Sequence, residues 1–95
     1  MIIRIVKMYF RKECCAEFKE LFSKYHLQIE SFKNCIGVEL LNDINDPQIF
    51  FTYSKWNCEE DLENYRNSEL FQHVWGKTKM MFADKPEVWS LEVIG

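Results

Sequence analysis

The chain has 95 residues, enough for one domain with a single hydrophobic core, and a formal net charge of -3. This acidic balance, with Lys and Arg scattered along the chain, argues against nucleic-acid binding, which needs a basic surface. Eight Phe, four Tyr and three Trp against three Gly and two Pro indicate an ordered domain over residues 1–95.

The cysteines and the apolar segments exclude two further classes of protein. The four cysteines lack C-x-x-C spacing and a nearby histidine pair, so we predict reduced thiols and no metal site. Residues 2–10 are interrupted by charges and are typical of a strand, not of a signal peptide. Since no segment approaches the roughly 18 apolar residues of a membrane span, we expect no membrane association and a cytoplasmic location.

The first half of the chain changes its apolar period from two to between three and four. Residues 2–10 are β-branched and aromatic, which predicts a first strand. From about Glu13 to Ser31 the apolar residues recur at helical spacing. Asn34 is predicted to end this helix because Asn tolerates the left-handed conformation, and residues 35–41 predict a second strand.

The stretch from Gln48 to Trp56 predicts a central strand that is apolar on both faces, so that something must cover each side. One face carries Ile49, Phe51 and Tyr53, and the other carries Phe50, Thr52, Ser54 and Trp56. Because small hydroxyl residues lie between aromatic ones on the second face, that face is typical of the floor of a cavity.

Helical and strand signals alternate once more after this strand. Asn57 is predicted to cap a helix, with Glu60 as the acidic partner of a capping box. At Ser68 the helix continues or a new one begins, and it should run to about Ala83. Residues 88–94, after a Pro-containing break, predict the last strand.

The resulting order β-α-β-β-α-β predicts an α+β fold of the ferredoxin-like type, with a four-stranded antiparallel sheet and both helices on one face. The uncovered face would then expose about half a dozen apolar side chains, drawn from residues such as Ile3, Ile5, Ile49, Phe51 and Val88. Leaving them in water forgoes on the order of 10 kcal/mol, which is comparable with the stability of a whole domain. We therefore expect a homodimer through the open sheet face, in preference to a monomer.

Two stretches resemble the antibiotic biosynthesis monooxygenase (ABM) family. They are Phe50-Phe51-Thr52-Tyr53-Ser54-Lys55-Trp56 followed by Glu59-Glu60, and Tyr65-Arg66-Asn67-Ser68-Glu69-Leu70-Phe71. The resemblance covers nearly the whole chain and implies a dimeric α+β barrel with a pocket between sheet and helices in each subunit. It implies the reaction less closely, since the family includes cofactor-free oxygenases of quinols and polyketides, haem-degrading enzymes and an isomerase.

The positions that matter in haem-degrading relatives depart from their pattern. Trp75 falls where those enzymes place the iron-ligating histidine, Tyr65 falls where they have a tryptophan, and residues 2–10 lack their asparagine. His73 lies about 200° around a helix from Trp75 and does not replace the missing ligand. The resemblance therefore favours an oxygenase without a bound cofactor over haem degradation.

A cofactor-free oxygenase activates its substrate, which requires a base, a donor to the oxyanion and aromatic walls. Tyr65 shares the inward side of its helix with Leu62 and is one catalytic candidate, with a core tyrosine as the alternative. His73 is the second candidate because imidazole is a common base, although its helical neighbours Glu69 and Lys77 favour a solvated position. The candidates for substrate binding, each with plain core packing or strand structure as the alternative, are Trp56, Thr52, Ser54, Phe71 and Trp75.

The resemblance thus implies a cofactor-independent monooxygenase that acts on a small aromatic or quinol-like compound. The competing hypothesis is a dimeric domain that binds a small apolar molecule without turning it over. No phosphate-binding loop or nucleophile elbow is present in the sequence, so nucleotide and acyl-transfer chemistry have no support.

Overall fold

The computed structural model describes residues 1–95 as four strands and three α-helices. In chain order they are β1 (Ile2–Tyr9), α1 (Cys15–Glu30), β2 (Cys35–Asn42), β3 (Ile49–Trp56), α2 (Glu59–Arg66), α3 (Glu69–Lys79) and β4 (Glu87–Glu92). A 3-10 turn over Lys12–Cys14 leads into α1. None of the helices combines the length and the apolar character needed to cross a membrane.

The four strands form one antiparallel sheet in the order β2-β3-β1-β4. The first and third strands therefore lie in the middle, as the continuous apolar pattern of residues 48–56 predicts. Helix α1 packs on β2 and α3, and α2 packs on β3. This arrangement confirms the predicted α+β, ferredoxin-like fold.

The register of the sheet decides which side chains face the helices. Ile5 lies opposite Tyr53 and Trp89, whereas its neighbour in sequence Val6 lies opposite Thr52 and Val88. Paired residues in neighbouring strands share a face, and Val6, Thr52 and Val88 all line the cavity under the helices. The assignment of Val88 to the open face is therefore wrong, because its register with Val6 turns it toward the helices.

The core lies between the helix-covered face of the sheet and α1. Phe10 and Phe50 are almost fully buried, and Phe18 of α1 stacks on Phe10 with ring centroids 4.2 Å apart. Phe22 and Ile29 of α1 are also buried, which confirms the helical apolar stripe predicted from their spacing. Asn34 has φ 63°, which confirms its left-handed conformation. It does not end the helix as predicted, because α1 ends at Glu30 with Ser31 as its C-cap residue.

The predicted capping role of Asn57 is wrong. The backbone N–H of Asn57 donates to the carbonyl oxygen of Asn34, 3.1 Å away, which ties this residue to the connection between α1 and β2. Helix α2 consequently begins one residue later, with Cys58 as its N-cap residue and no side-chain cap bond to the backbone.

Helix α3 ends at Lys79, four residues before the predicted Ala83. The backbone beyond it pairs with the end of the first strand, since Ala83 N–H donates to the Tyr9 carbonyl and Phe10 forms an isolated bridge with Phe82. Tertiary pairing with β1 therefore replaces the helix, although the apolar spacing in the sequence continues through this segment.

Ser68 separates α2 from α3 and caps the second of them. Its hydroxyl donates to the Tyr65 carbonyl at 2.6 Å and accepts from the Phe71 N–H at 3.2 Å. Ser68→Ala removes both bonds, and we expect it to lower the free energy of unfolding by about 1 kcal/mol. Urea denaturation measures the change; a loss below a few tenths of a kcal/mol would show that the cap is dispensable.

Candidate functional site

A cavity of about 220 Å³ lies between the sheet and the three helices. It is lined by 18 residues, of which 13 are hydrophobic. The others are Arg4, Thr52, Ser54, Arg66 and Thr78. An apolar cavity of about 150 Å³ accommodates benzene, so this one has the size for a small aromatic molecule.

The floor of the cavity comes from alternate residues of β3. Thr52, Ser54 and Trp56 lie at i, i+2 and i+4 and so share one face of the strand. The indole N–H of Trp56 donates to the Ser54 hydroxyl at 3.0 Å, and both side chains are buried. Ser54 thus holds Trp56 in place. Of the two hydroxyl residues on this face, Thr52 is more accessible than Ser54.

Aromatic rings from α2 and α3 form one wall. Tyr65 stacks on Trp56 with ring centroids 4.8 Å apart and an interplanar angle of 26°. Phe71 meets the Tyr65 ring edge-on at 5.3 Å and stacks on Trp75 at 5.9 Å. These contacts are of the geometry that aromatic pairs prefer, and they make a continuous wall from the sheet to α3.

Tyr65 is the group in this wall that has a hydroxyl. Burial, and to a smaller extent the neighbouring Cys35, raise the pKa of Tyr65 well above its ordinary value. A phenol is already neutral at physiological pH, and the raised pKa disfavours the phenolate further, so this hydroxyl is suited to donate a hydrogen bond rather than to act as a base. No side-chain hydrogen bond within the chain engages its hydroxyl, although Ser68 uses its backbone carbonyl.

The structure brings six of the seven predicted site residues together at the cavity. These are Tyr65, Trp56, Thr52, Ser54, Phe71 and Trp75. His73 does not line the cavity; its Nε2 lies 2.8 Å from the Tyr25 hydroxyl, and this hydrogen bond connects α3 with α1. Its ring is exposed, as the charged neighbours on its helix indicated.

Sequence reasoning missed the two arginines of the cavity. Arg4 lies on β1 opposite Ser54 and Ser90, on the same face as Val6, and Arg66 is the last residue of α2. The alternation of β1 carried a signal for Arg4, since Arg4, Val6 and Met8 share a face, but nothing in the sequence showed which face the helices cover. Arg66 had no comparable signal.

The family is decided by comparison with known sequences. The sequence model of the antibiotic biosynthesis monooxygenase family matches residues 1–75, which is most of the chain. The chain belongs to the ABM family. Among curated proteins, no sequence matches it.

Several solved structures share this ABM fold. A protein of Nitrosomonas europaea, provisionally named an antibiotic biosynthesis monooxygenase, matches over the full length of both chains with a TM-score of 0.92 and 16% identity. A Bordetella bronchiseptica protein with the same provisional name matches with a TM-score of 0.86 and 21% identity, over 98% of this chain and 96% of that one. A conserved protein of Methanosarcina mazei Go1 matches with a TM-score of 0.89 and 20% identity, over 96% and 91%. At such identities the likeness shows the fold alone.

The cavity residues of this ABM protein do not fit haem. No histidine or cysteine lines the cavity, and Trp75 stands on the α3 face turned toward it. Tyr65 is a poor iron ligand because its raised pKa disfavours the phenolate. Nor does any group of three or more His, Cys, Asp or Glu side chains in the chain form a candidate metal site.

Proposed function

We propose that this ABM protein is a cofactor-independent monooxygenase that acts on a small aromatic or quinol-like compound in the cavity. The observation that carries the proposal is an apolar, aromatic-walled cavity lined by Tyr65, whose ring stacks on Trp56 and whose hydroxyl has no side-chain hydrogen bond within the chain. Such a setting favours an aromatic ligand and offers one preorganised donor to an oxyanion.

The reaction is illustrated by an anthrone, whose CH₂ group is acidic. One C–H proton passes to a hydroxide ion from solvent, because no carboxylate or imidazole lines the cavity, and the resulting enolate transfers an electron to O₂ to form a carbon radical and superoxide. These combine into a C–O bond, the peroxide takes up the proton, and the hydroperoxide eliminates water to leave a ketone. One oxygen atom enters the product and the other leaves in water, so O₂ is the sole oxidant and no external reductant is consumed.

The six predicted site residues at the cavity each have a role in this proposal. Tyr65 donates to the oxygen that bears the negative charge of the enolate, and so stabilises the anion that reacts. Trp56, Phe71 and Trp75 hold the aromatic rings, with Thr52 and Ser54 beneath them. His73 stays a prediction as an acid–base residue; its position outside the cavity favours Tyr65 as the main polar group.

Oxygen consumption by metal-stripped protein tests the proposal, with a panel that runs from hydroquinones to anthrones. We expect saturable uptake that falls by about 100-fold in Tyr65→Phe, since the loss of one oxyanion donor typically costs this much. Tyr9→Phe, which removes a phenol from a strand end outside the cavity, is the matched control and should retain the wild-type rate. Uptake at the buffer rate for the whole panel would reject the oxygenase.

A non-catalytic small-molecule-binding domain is the second candidate, and one observation favours it. The cavity is lined by no carboxylate and no imidazole, so no side chain in it is an evident base. A binding domain needs none. Stoichiometric binding of an aromatic ligand without oxygen uptake would distinguish this function from the first.

We also propose that the protein acts as a homodimer through the open face of the sheet. Apolar side chains on this face that are exposed by more than two fifths are Leu41, Trp89 and Leu91. Ile5, Phe51 and Tyr53 lie between them on the central strands. Lys7 and Lys55 lie on the same face, opposite Phe51 and Ile3. Exposed apolar patches with polar residues around them mark protein interfaces, and a twofold pairing of two such faces would bury the apolar side chains. A cytoplasmic location stays a prediction beside this one.

A further inference from the structure

Two arginines give the apolar cavity a positive charge that its aromatic walls do not require. Arg4 reaches the cavity from β1 and Arg66 from the end of α2. A neutral quinol would need neither guanidinium, since Tyr65 already supplies a donor. The pair therefore bears on the chemical class of the ligand.

The hydrogen bonds of the two arginines leave donors unused. Arg4 Nη1 donates to the Ser90 hydroxyl at 2.7 Å, and Arg66 Nη1 donates to Glu63 Oε2 at 3.3 Å. Arg66 Nε is buried and has no hydrogen-bond partner within the chain. That nitrogen is enclosed by the protein and is out of a ligand's reach, but neither Arg4 Nη2 nor Arg66 Nη2 has a hydrogen bond within the chain, so the pair retains donors for a ligand at the cavity.

The charges around Arg4 and Arg66 also favour an anionic ligand. Glu63 is the carboxylate that pairs with Arg66, so the two arginines retain one positive charge in excess. Burial and the positive charge of Arg66 lower the pKa of Arg4, while Glu63 opposes that effect. Two like charges close enough to affect each other are stabilised by an anion placed between them.

We propose that the cavity binds small aromatic compounds that carry a carboxylate, with the carboxylate held by Arg4 and Arg66 and the ring against the Trp56 and Tyr65 wall. This inference concerns the same cavity as the proposed function and narrows its ligand class. A carboxylate matches the planar fork of a guanidinium and accepts two parallel bonds from it. As a monoanion it also matches the single excess charge, whereas a phosphate dianion exceeds it.

Calorimetric titration of the wild-type protein with 1-naphthoate and with the neutral 1-naphthamide tests the inference. The two ligands have the same rings and nearly the same shape, so their difference isolates the charge. We expect naphthoate to bind at least about tenfold more tightly, because charge-assisted bonds to arginine are about twice as strong as neutral ones. Equal affinities, or no binding of naphthoate, would overturn the proposal.

Variants of the charged residues give a second, directional test. Arg66→Gln and Arg4→Gln should each weaken naphthoate binding by about tenfold or more and leave naphthamide binding unchanged. Glu63→Gln should tighten naphthoate binding, since it removes the carboxylate that competes for Arg66. Lys79→Gln, which removes an exposed charge from α3, is the control and should bind as wild type. If the arginine variants bound naphthoate and naphthamide equally weakly, the arginines would have a structural role only, and the proposal would be contradicted.

The outcome is separable from that of the oxygenase assay. Naphthoate-selective binding without oxygen uptake by any member of the panel would support the carboxylate site and reject the oxygenase. Uptake with neutral hydroquinones, together with equal binding of naphthoate and naphthamide, would reject the carboxylate site and retain the oxygenase.

Discussion

Phe50→Ala is expected to lower the free energy of unfolding by about 3–5 kcal/mol, the usual cost of truncating a buried Phe. Phe50 is 1% exposed, and its ring meets Phe10 and Phe18 edge-on at centroid distances of 5.5 and 5.6 Å. It lies on a central strand, so a cavity there would be closed in by the sheet and α1 and would collapse only in part. A loss of this size is a large share of the stability of a small domain.

Urea denaturation followed by circular dichroism measures this change. Leu27→Ala is the control: Leu27 is 76% exposed on α1, and its truncation should change stability by less than about 0.5 kcal/mol. Both variants must be compared at one protein concentration, because dimerisation would make stability depend on concentration. A loss under about 1 kcal/mol for Phe50→Ala would contradict the packing described for the core.

Ile5→Lys is expected to convert the proposed dimer into a monomer. Ile5 occupies the middle of the open face, opposite Tyr53 on β3 and Trp89 on β4. In a twofold pairing of the sheets, two copies of the new lysine would be buried in an apolar interface, and burying an unpaired charge is strongly unfavourable. Light scattering should give about twice the chain mass of 11.5 kDa for the wild type and the chain mass itself for the variant.

The matched control is Leu27→Lys, which makes the same change from an aliphatic side chain to lysine on the outer side of α1. It should remain dimeric. A wild-type mass of 11.5 kDa would reject the sheet-to-sheet dimer, and so would an Ile5→Lys variant that stays dimeric while folded, as judged by its circular dichroism.

Local patterns in the sequence singled out six of the 18 residues that line the cavity. The alternation of β3 put Thr52, Ser54 and Trp56 on one face of the strand, because strand and helix periods are properties of the chain itself. Helical spacing likewise put Phe71 and Trp75 on one face of α3, and only the fold brought that face against Tyr65 of α2. His73 followed the same logic, since charged helical neighbours indicated a solvated ring, and in the structure it is exposed and bonded to Tyr25.

By itself, the sequence determined the order of the elements, the helical stripe of α1 and the left-handed Asn34, all of which depend on local periodicity and backbone preference. Only the tertiary structure decided what depends on register and on distant partners. The register of β4 against β1 turned Val88 inward and left Trp89 on the open face, and pairing with residues 9–11 ended α3 before Ala83. Arg4 and Arg66 likewise line one cavity although they lie far apart in the chain, which no local period encodes.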